Sequence, residues 1–283
     1  MSFDASRIAK EIEIQIKSGH QQLPGLPDIA LRVRNAIGKE DADVQTISKL
    51  VQSDIPLTAR LIQIANSPLY RGVTPVEDCL KAITRLGLDV TKNLVTSFAL
   101  RRAFTAKSAK TRKRVEHVWK HSVQVAAIAF ILGRITPRLN PDHGMLAALI
   151  HDVGVLPLYA YAESNKELLN DSEALDRLEK ELRVTLGKLV LSHWRFDQEF
   201  IEIIEAAEDW LRDPGSEPDY GDVVLISQVH AAFGKPEGEQ MPPLDQIPAH
   251  KKFPVFKLGP AASMELLAEA QDEMKELQKL LAN

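Results

Sequence analysis

The chain has 283 residues, of which 45% are hydrophobic and 26% are charged, and this balance excludes a disordered or fibrous protein. A net charge of −4 lacks the basic excess of a general nucleic-acid binder, so it argues against nucleic acid as a partner. The single cysteine, Cys79, excludes an internal disulfide, and the sequence contains neither a signal-peptide pattern nor an apolar run of ~20 residues. We therefore expect a globular cytoplasmic protein of one or two domains, with no membrane partner.

Residues 1–22 are predicted to form an N-terminal helix. Ile8, Ile12 and Ile16 are four residues apart, which places them on one face of a helix, and Asp4 or Ser6 can cap its start. We interpret this helix as an appendage to the main body.

Residues 23–105 are predicted to form the N-terminal helical half of the main body. The spacing of apolar residues and the prolines predict helices over residues 27–37, 44–51, 56–67, 76–86 and 88–104. Gly87 supplies a left-handed break between the last two. We predict that Pro56, Leu57, Leu61 and Leu86 are buried, and that this half makes an extensive contact with the next.

Residues 106–235 form the second half, whose helices carry the titratable residues of interest. A long helix over 115–133 carries His117 and His121, which share a face because they are four residues apart. A second apolar helix ends in the segment LAALIHDVG, which places His151 and Asp152 at its end. A further helix is predicted over 223–233.

Residues 236–283 are predicted to be a closing loop, rich in Pro and Gly, followed by one C-terminal helix. The apolar residues of this helix have helical spacing, so it is expected to pack back on the bundle; a dimer contact of coiled-coil type is the alternative. No segment alternates like a β-strand. The predicted fold class is therefore all-α, as a compact helical bundle.

Four fragments in order resemble the opening half of the HDOD family of bacterial signalling proteins. They are Leu23-Pro24 with Leu26-Pro27, Asp54-Ile55-Pro56-Leu57, Ala65-Asn66-Ser67-Pro68, and Leu80 with Ala82-Ile83 and Leu86-Gly87. This resemblance implies an HD-like helical bundle with an additional N-terminal helical layer. It also implies a signal-transduction module without an attached receiver or kinase-like domain.

The second half resembles the HD superfamily, in which histidines and an aspartate converge on a divalent metal. His121 matches the first histidine of the family, and His151 with Asp152 matches the His-Asp pair. His230 is placed at or beside the late ligand, and Asp222 is a weaker candidate because it is expected to lie before the helix. Imidazole and carboxylate together suit a divalent transition metal. The alternative is a hydrogen-bonded structural remnant without metal.

Several positions that support catalysis in active relatives have other residues in this chain. Val155 stands where the HD-GYP relatives carry a lysine, and Arg183 and Ala207-Glu208 stand at the positions of their extra histidines. Arginine and alanine cannot bind a metal in proteins. We therefore expect a non-catalytic regulatory module that binds a signalling protein or a small ligand. The alternative is a metal-dependent phosphohydrolase acting on a nucleotide or cyclic dinucleotide.

Two surface features are candidates for contacts with a ligand or partner. Asn66 ends a helix, and its amide either caps the chain or lines a contact surface. The basic run from Arg101 to Lys120 includes Arg112 and Arg114, and it is either a solvated helix face or a docking surface for an acidic partner.

Overall fold

The computed structural model describes residues 3–18, 25–235, 238, 241–253 and 260–282, with no strand among them. A 3-10 turn lies at Leu244–Gln246, and sixteen α-helices are formed within these ranges: α1 (Ala5–Lys17), α2 (Asp28–Ile37), α3 (Val44–Gln52), α4 (Ile55–Ala65), α5 (Cys79–Leu86), α6 (Leu88–Ala103), α7 (Ala109–Ile135), α8 (Pro141–Ile150), α9 (Val155–Ser164), α10 (Lys166–Asn170), α11 (Ser172–His193), α12 (Gln198–Ala206), α13 (Tyr220–Ala232), α14 (Pro248–Lys252), α15 (Pro260–Glu269) and α16 (Gln271–Ala282). The all-α prediction is confirmed.

The chain divides into two compact units that are interleaved along the sequence. Unit 1 consists of Met1–Gly25 and Phe104–Glu269, and unit 2 consists of Leu26–Ala103 and Ala270–Asn283. The predicted C-terminal helix is divided at Ala270 into α15 and α16, which belong to different units.

In unit 2, three short helices start at an aspartate cap. The carboxylates of Asp43, Asp54 and Asp78 accept hydrogen bonds from the backbone N–H three residues later, at 2.9, 3.0 and 2.8 Å, which satisfies one free donor in each first turn. The helix predicted from residue 76 therefore begins only at Cys79, behind its cap. Gly87, at φ 82°, separates α5 from α6 as predicted.

The predicted buried positions of unit 2 are confirmed with one exception. Leu57, Leu61 and Leu86 are buried, at 7%, 0% and 8% exposure, whereas Pro56 is exposed. Pro56 lies in the first turn of α4, where it presets the backbone for the helix but points to the surface. The prediction of a buried Pro56 was wrong because a proline at a helix start needs no core contact.

Unit 1 is built around α7, which packs most extensively on α8 and α13. The apolar run 123–133 of α7 is buried except for the half-buried Gln124, and α7 itself extends from Ala109, beyond the predicted 115–133. Asn140 caps α8 by accepting from the backbone N–H groups of Asp142 and His143, and Pro141 occupies its first turn.

Helix α1 belongs to the core of unit 1. Ile8 and Ile12 are 1% and 0% exposed and join a hydrophobic cluster with residues of α9 and α11, including Leu158, Leu178 and Leu182. The interpretation of this helix as an appendage was therefore wrong. Its apolar face is covered by helices far away in sequence, which spacing within α1 cannot reveal.

One helical stretch, Pro141–Ser164, is long and apolar enough to cross a membrane. It comprises α8, the His-Asp turn and α9, and 89% of its most apolar window is buried inside the protein. Such burial is typical of the core helix of a soluble protein.

Candidate functional site

Three predicted residues come together in unit 1. His121 lies in the middle of α7, while His151 and Asp152 lie in the turn directly after α8, so the packing of α7 on α8 joins them. Each offers a ligand atom, and these atoms lie within 4.8 Å of one another. The Oδ2 atom of Asp152 is 3.3 Å from Nε2 of His151 and 3.9 Å from Nε2 of His121. The predicted convergence is present; metal binding stays a prediction.

His151 is held in one orientation by the end of α8. Its Nδ1 atom is 2.6 Å from the carbonyl oxygen of Ala148. A carbonyl only accepts, so Nδ1 is the donor in this contact and Nε2 is the ring nitrogen left to face the site. That Nε2 is buried and has no hydrogen-bond partner among the described residues. This arrangement is typical of a histidine that ligates a metal.

A fourth side chain, Arg183 of α11, occupies the other side of Asp152. Its Nη1 atom lies 3.0 Å from Asp152 Oδ1 in an ion pair and donates a hydrogen bond to Glu208 Oε1 at 3.1 Å. The attraction of the Asp152 carboxylate raises the pKa of Arg183 above its usual value. The site therefore contains a permanent cation in contact with its only buried carboxylate.

The electrostatics of the site follow from burial and from this guanidinium. Burial alone would raise the pKa of Asp152, but the charges of Arg183, His151 and His121 lower it to about 2. Burial lowers the pKa of His121 to about 4, although the Asp152 carboxylate opposes the shift. Near neutral pH the site is therefore an aspartate anion paired with an arginine, beside a neutral His121.

Arg183 is brought close by two glycines at a helix crossing. A Cβ atom added to Gly154 would lie 2.0 Å from the carbonyl oxygen of Arg183 and 2.5 Å from the backbone nitrogen of Gly187. No side chain fits there, so glycine at 154 permits α11 to approach the start of α9. From the sequence, Arg183 was predicted only to replace a histidine, and its contact with Asp152 was not predicted. Its position four residues before Gly187 was the available signal.

His230 does not join the group that is formed by His121, His151 and Asp152. It lies buried in the last turn of α13, which packs on α14, and the neighbouring charge that acts on it is that of His250. Burial first, and then His250, lower the pKa of His230 to about 4.

Asp222 is a helical residue with partners of its own. It lies in the first turn of α13, forms a capping box with Asp219, and pairs with Arg212 at 2.5 Å and Lys252 at 3.1 Å. The expectation that it precedes the helix was wrong, because Asp219 caps the helix three residues earlier.

Asn66 clamps the loop that follows α4. Its amide donates to the Val76 carbonyl at 2.7 Å, and its oxygen accepts from the Val76 backbone N–H at 2.8 Å. It also lines a groove between the end of α4 and α16, together with Lys275. The role of Asn66 in turning the chain is thus visible in its contacts, whereas a role in binding a ligand or partner stays a prediction.

The two basic candidates differ in their surroundings. Arg114 is largely compensated, because its Nη1 atom lies 2.6 Å from Asp176 and 2.7 Å from Glu179. Arg112 is exposed and donates only a long hydrogen bond, at 3.4 Å, to the Lys107 carbonyl. A role of either in partner binding stays a prediction.

A small cavity lies beside the three-residue group. It measures about 150 Å³ and is lined by His121, His117, Lys120 and Lys235, among others. The Lys235 ammonium donates to the Gln124 side chain at 2.8 Å.

Solved structures of similar fold support this description. The Putative metal-dependent phosphohydrolase from Shewanella amazonensis SB2B is 27% identical with a TM-score of 0.78, and the alignment covers 98% of this chain and 99% of that one. An HDOD domain protein with unknown function from Geobacter sulfurreducens is 24% identical with a TM-score of 0.69, over 98% of each chain. A Putative signal transduction protein from Marinobacter aquaeolei VT8 is 20% identical with a TM-score of 0.66, over 99% of this chain and 69% of that one. The latter two likenesses show the fold alone.

No curated protein matches the chain. The model of the HDOD domain family, by contrast, matches residues 23–210, which is more than half of the sequence and includes both the proline motifs and the His-Asp turn. The described part of these residues contains helices α2 to α12 and no strand, with the three-residue group at the end of α8 and in the middle of α7. The chain therefore belongs to the HDOD family.

Proposed function

We propose that this chain is a non-catalytic HDOD signalling module, in which Arg183 supplies the positive charge that a metal would bring to the His-Asp site. The observation that carries the proposal is the 3.0 Å contact between Arg183 Nη1 and Asp152 Oδ1. The module acts in the cytoplasm by binding a signalling protein or a small ligand.

The donor atoms and the charges of the site favour different conclusions about a metal. Three protein ligands can hold a divalent ion, and the free Nε2 of His151 is suited to one. The guanidinium, however, occupies one oxygen of the only anionic ligand and repels a second cation at close range. Because arginine does not lose its proton, this competition does not relax with pH. We infer weak metal binding at most.

Catalysis would need more than occupancy of the site. A phosphohydrolase requires a metal-bound water of lowered pKa. Val155 and Ala207 are buried apolar residues at positions where active relatives supply polar groups. These two positions therefore supply no donor that would fix the metal and its water.

The proposal is tested by metal analysis and an activity screen on the purified protein. After metal removal and reconstitution with Mn²⁺, Fe²⁺ or Zn²⁺, we expect less than one equivalent of retained metal and no hydrolysis of bis(p-nitrophenyl) phosphate, nucleotides or cyclic dinucleotides. Arg183→Gln should increase metal affinity by about tenfold, the scale of one charge interaction near a protein surface. Arg177→Gln, on the exposed face of the same helix, is the matched control and should change nothing.

A metal-dependent phosphohydrolase is the second candidate function. It is favoured by Nε2 of His151, which makes no hydrogen bond among the described residues, and by the similarity to the Shewanella protein. Stoichiometric metal together with turnover that is lost in His151→Ala would establish it and overturn the non-catalytic proposal.

A further inference from the structure

A second cavity, of about 310 Å³, lies within unit 2 between the first turns of α4 and the C-terminal half of α6. Its wall combines charged and apolar side chains, and the apolar part includes Leu57, Val95 and Phe98, whose exposures are 7%, 0% and 6%. The volume lies near the lower limit of small-molecule sites, ~300–1,000 Å³, so it suits a ligand with one ring or a short acyl chain.

Arg60 is the distinctive residue of this cavity. Its guanidinium carbon lies 4.8 Å from the centroid of the Phe98 ring, so one face of the group is covered by the ring. Among the described residues it has no hydrogen bond or ion pair, although it is partly buried. Burial lowers the pKa of Arg60, which reflects the cost of a partly desolvated cation. Its N–H edge remains available to an acceptor.

The nearby carboxylate does not compensate Arg60. Asp54 Oδ1 accepts the capping hydrogen bond from the Leu57 N–H at 3.0 Å, and its Oδ2 lies 3.5 Å from Arg102. The three charged side chains that line the cavity, Asp54, Arg60 and Arg102, sum to +1 (two arginines minus one aspartate). One negative charge balances this set, whereas a second would be repelled by Asp54.

The exposed apolar rim supports an amphipathic occupant. Pro56 is exposed at the edge of the cavity, and the neighbouring Ile55 is 79% exposed. These side chains contribute nothing to the core of unit 2. Pro56, which lines the cavity, enlarges the apolar area that a bound molecule would cover.

We propose that this cavity binds a small monocarboxylate with an apolar body, whose carboxylate accepts a bidentate pair of hydrogen bonds from Arg60 while the apolar part packs against Phe98 and Leu57. A guanidinium fork matches a carboxylate in two parallel hydrogen bonds, which a single ammonium cannot supply. The site goes beyond the function proposed for the His-Asp group and does not depend on the metal content of that group.

The test is isothermal titration calorimetry of the full chain with benzoate, with benzamide as the neutral isostere and with inorganic phosphate. Wild-type protein should bind benzoate with a dissociation constant on the order of 1 mM, as expected of a ligand of this size. Benzamide should bind at least about tenfold more weakly, because it lacks the charge. Arg60→Gln should weaken benzoate binding by about tenfold or more, the usual scale for hydrogen bonds between charged groups.

Three further variants separate the specific site from general effects. Arg60→Lys keeps the charge, removes the fork and should weaken benzoate binding severalfold. Phe98→Leu keeps an apolar wall but removes the ring beneath Arg60, and it should also weaken binding. Lys49→Gln removes an exposed charge of the same unit outside the cavity and should have no effect.

Three outcomes would overturn the proposal. They are no benzoate binding to the wild type in the millimolar range, equal benzoate affinity in wild type and in both Arg60 variants, and tighter binding of inorganic phosphate than of benzoate. The last outcome would assign Arg60 to phosphate recognition. The decision does not depend on Arg60→Gln alone. If this variant fails to fold, two measurements still test the proposal: the comparison of benzoate with benzamide on the wild type, and the affinity of Arg60→Lys for benzoate.

Discussion

Burial of His230 couples the stability of the protein to pH. Its pKa in the folded protein is about 4, whereas the unfolded chain takes up a proton near pH 6.5. Between these values the unfolded state binds more protons, so the free energy of unfolding falls as the pH drops from about 6.5 to about 4. Above about pH 6.5, His230 no longer lowers the free energy of unfolding.

The first residue-scale prediction is that His230→Gln makes stability less dependent on pH. The loss that wild type shows between pH 6.5 and pH 4 should be smaller in the variant by about 2–3 kcal/mol. Urea denaturation at several pH values measures this loss of stability in both proteins. His193→Gln, at an exposed position, is the control and should keep the wild-type slope. An unchanged slope in His230→Gln would show that the buried imidazole does not titrate as expected.

Single residues of the site were predictable to different degrees. The positions of His121, His151 and Asp152 were predicted because a sequence motif fixes each on an identifiable helix or turn. The contact of Arg183 with Asp152 depends on how closely α9 and α11 approach, and the direction of His230 depends on the packing of α13 against α14. Both are long-range contacts that leave no periodic signal near the residue itself.

At the scale of elements, the crossing of α9 and α11 depends on Gly154. We predict that Gly154→Ala lowers the free energy of unfolding by ~2 kcal/mol or more, because the added Cβ would lie 2.0 Å from a backbone oxygen that cannot move independently of its helix. Gly215→Ala is the matched control, since an added Cβ there meets nothing within 4 Å, and it should change stability by about 0.5 kcal/mol or less. Chemical denaturation of both variants checks the prediction. Similar stabilities for the two would contradict the close helix approach.

Gly154→Ala should also change the contact between Arg183 and Asp152. If Gly154→Ala still folds, α11 must shift away from α9 and carry Arg183 with it. The contact between Arg183 and Asp152 should then lengthen, and metal affinity should change in the direction expected for Arg183→Gln.

Helices were predictable from sequence where a local signal marks an end. Gly87 and the aspartate caps are such signals, and α5 and α6 separate at Gly87. The division between α15 and α16 carries no proline or glycine, so the final segment was predicted as one helix. Pro56 shows what local sequence cannot predict. A proline correctly marked the start of α4, whereas its exposure depends on tertiary packing.

For the whole molecule, the interleaved units mean that each is completed by a distant part of the chain. Residues 1–25 belong to unit 1 and residues 270–283 to unit 2. Ile8 and Ile12 of α1 and Leu277 and Leu281 of α16 are all buried. Cutting the chain between the predicted halves therefore removes α1 from unit 1 and α16 from unit 2. The extensive contact expected between the halves stays a prediction.

We predict that fragments 1–103 and 104–283, expressed separately, are each less stable than the full chain. Loss of α1 alone exposes two isoleucines and the surface they cover, which costs roughly 3–6 kcal/mol at about 1.5–3 kcal/mol per side chain. Thermal unfolding followed by circular dichroism tests this prediction. Mixing the two fragments is the control, because it should restore part of the lost stability. Full-length melting temperatures in both separate fragments would contradict the shared completion of the units.

The attachment of Arg183 to the chain gives its positive charge an advantage that no dissolved ion has. A tethered group acts at an effective concentration in the millimolar range or above, set by the geometry of its attachment. Because Arg183 is held 3.0 Å from Asp152, a free metal at micromolar concentration competes against a cation that never diffuses away. We therefore expect the guanidinium to stay in contact with Asp152 whatever the metal supply, and chelators should leave the stability of the fold unchanged.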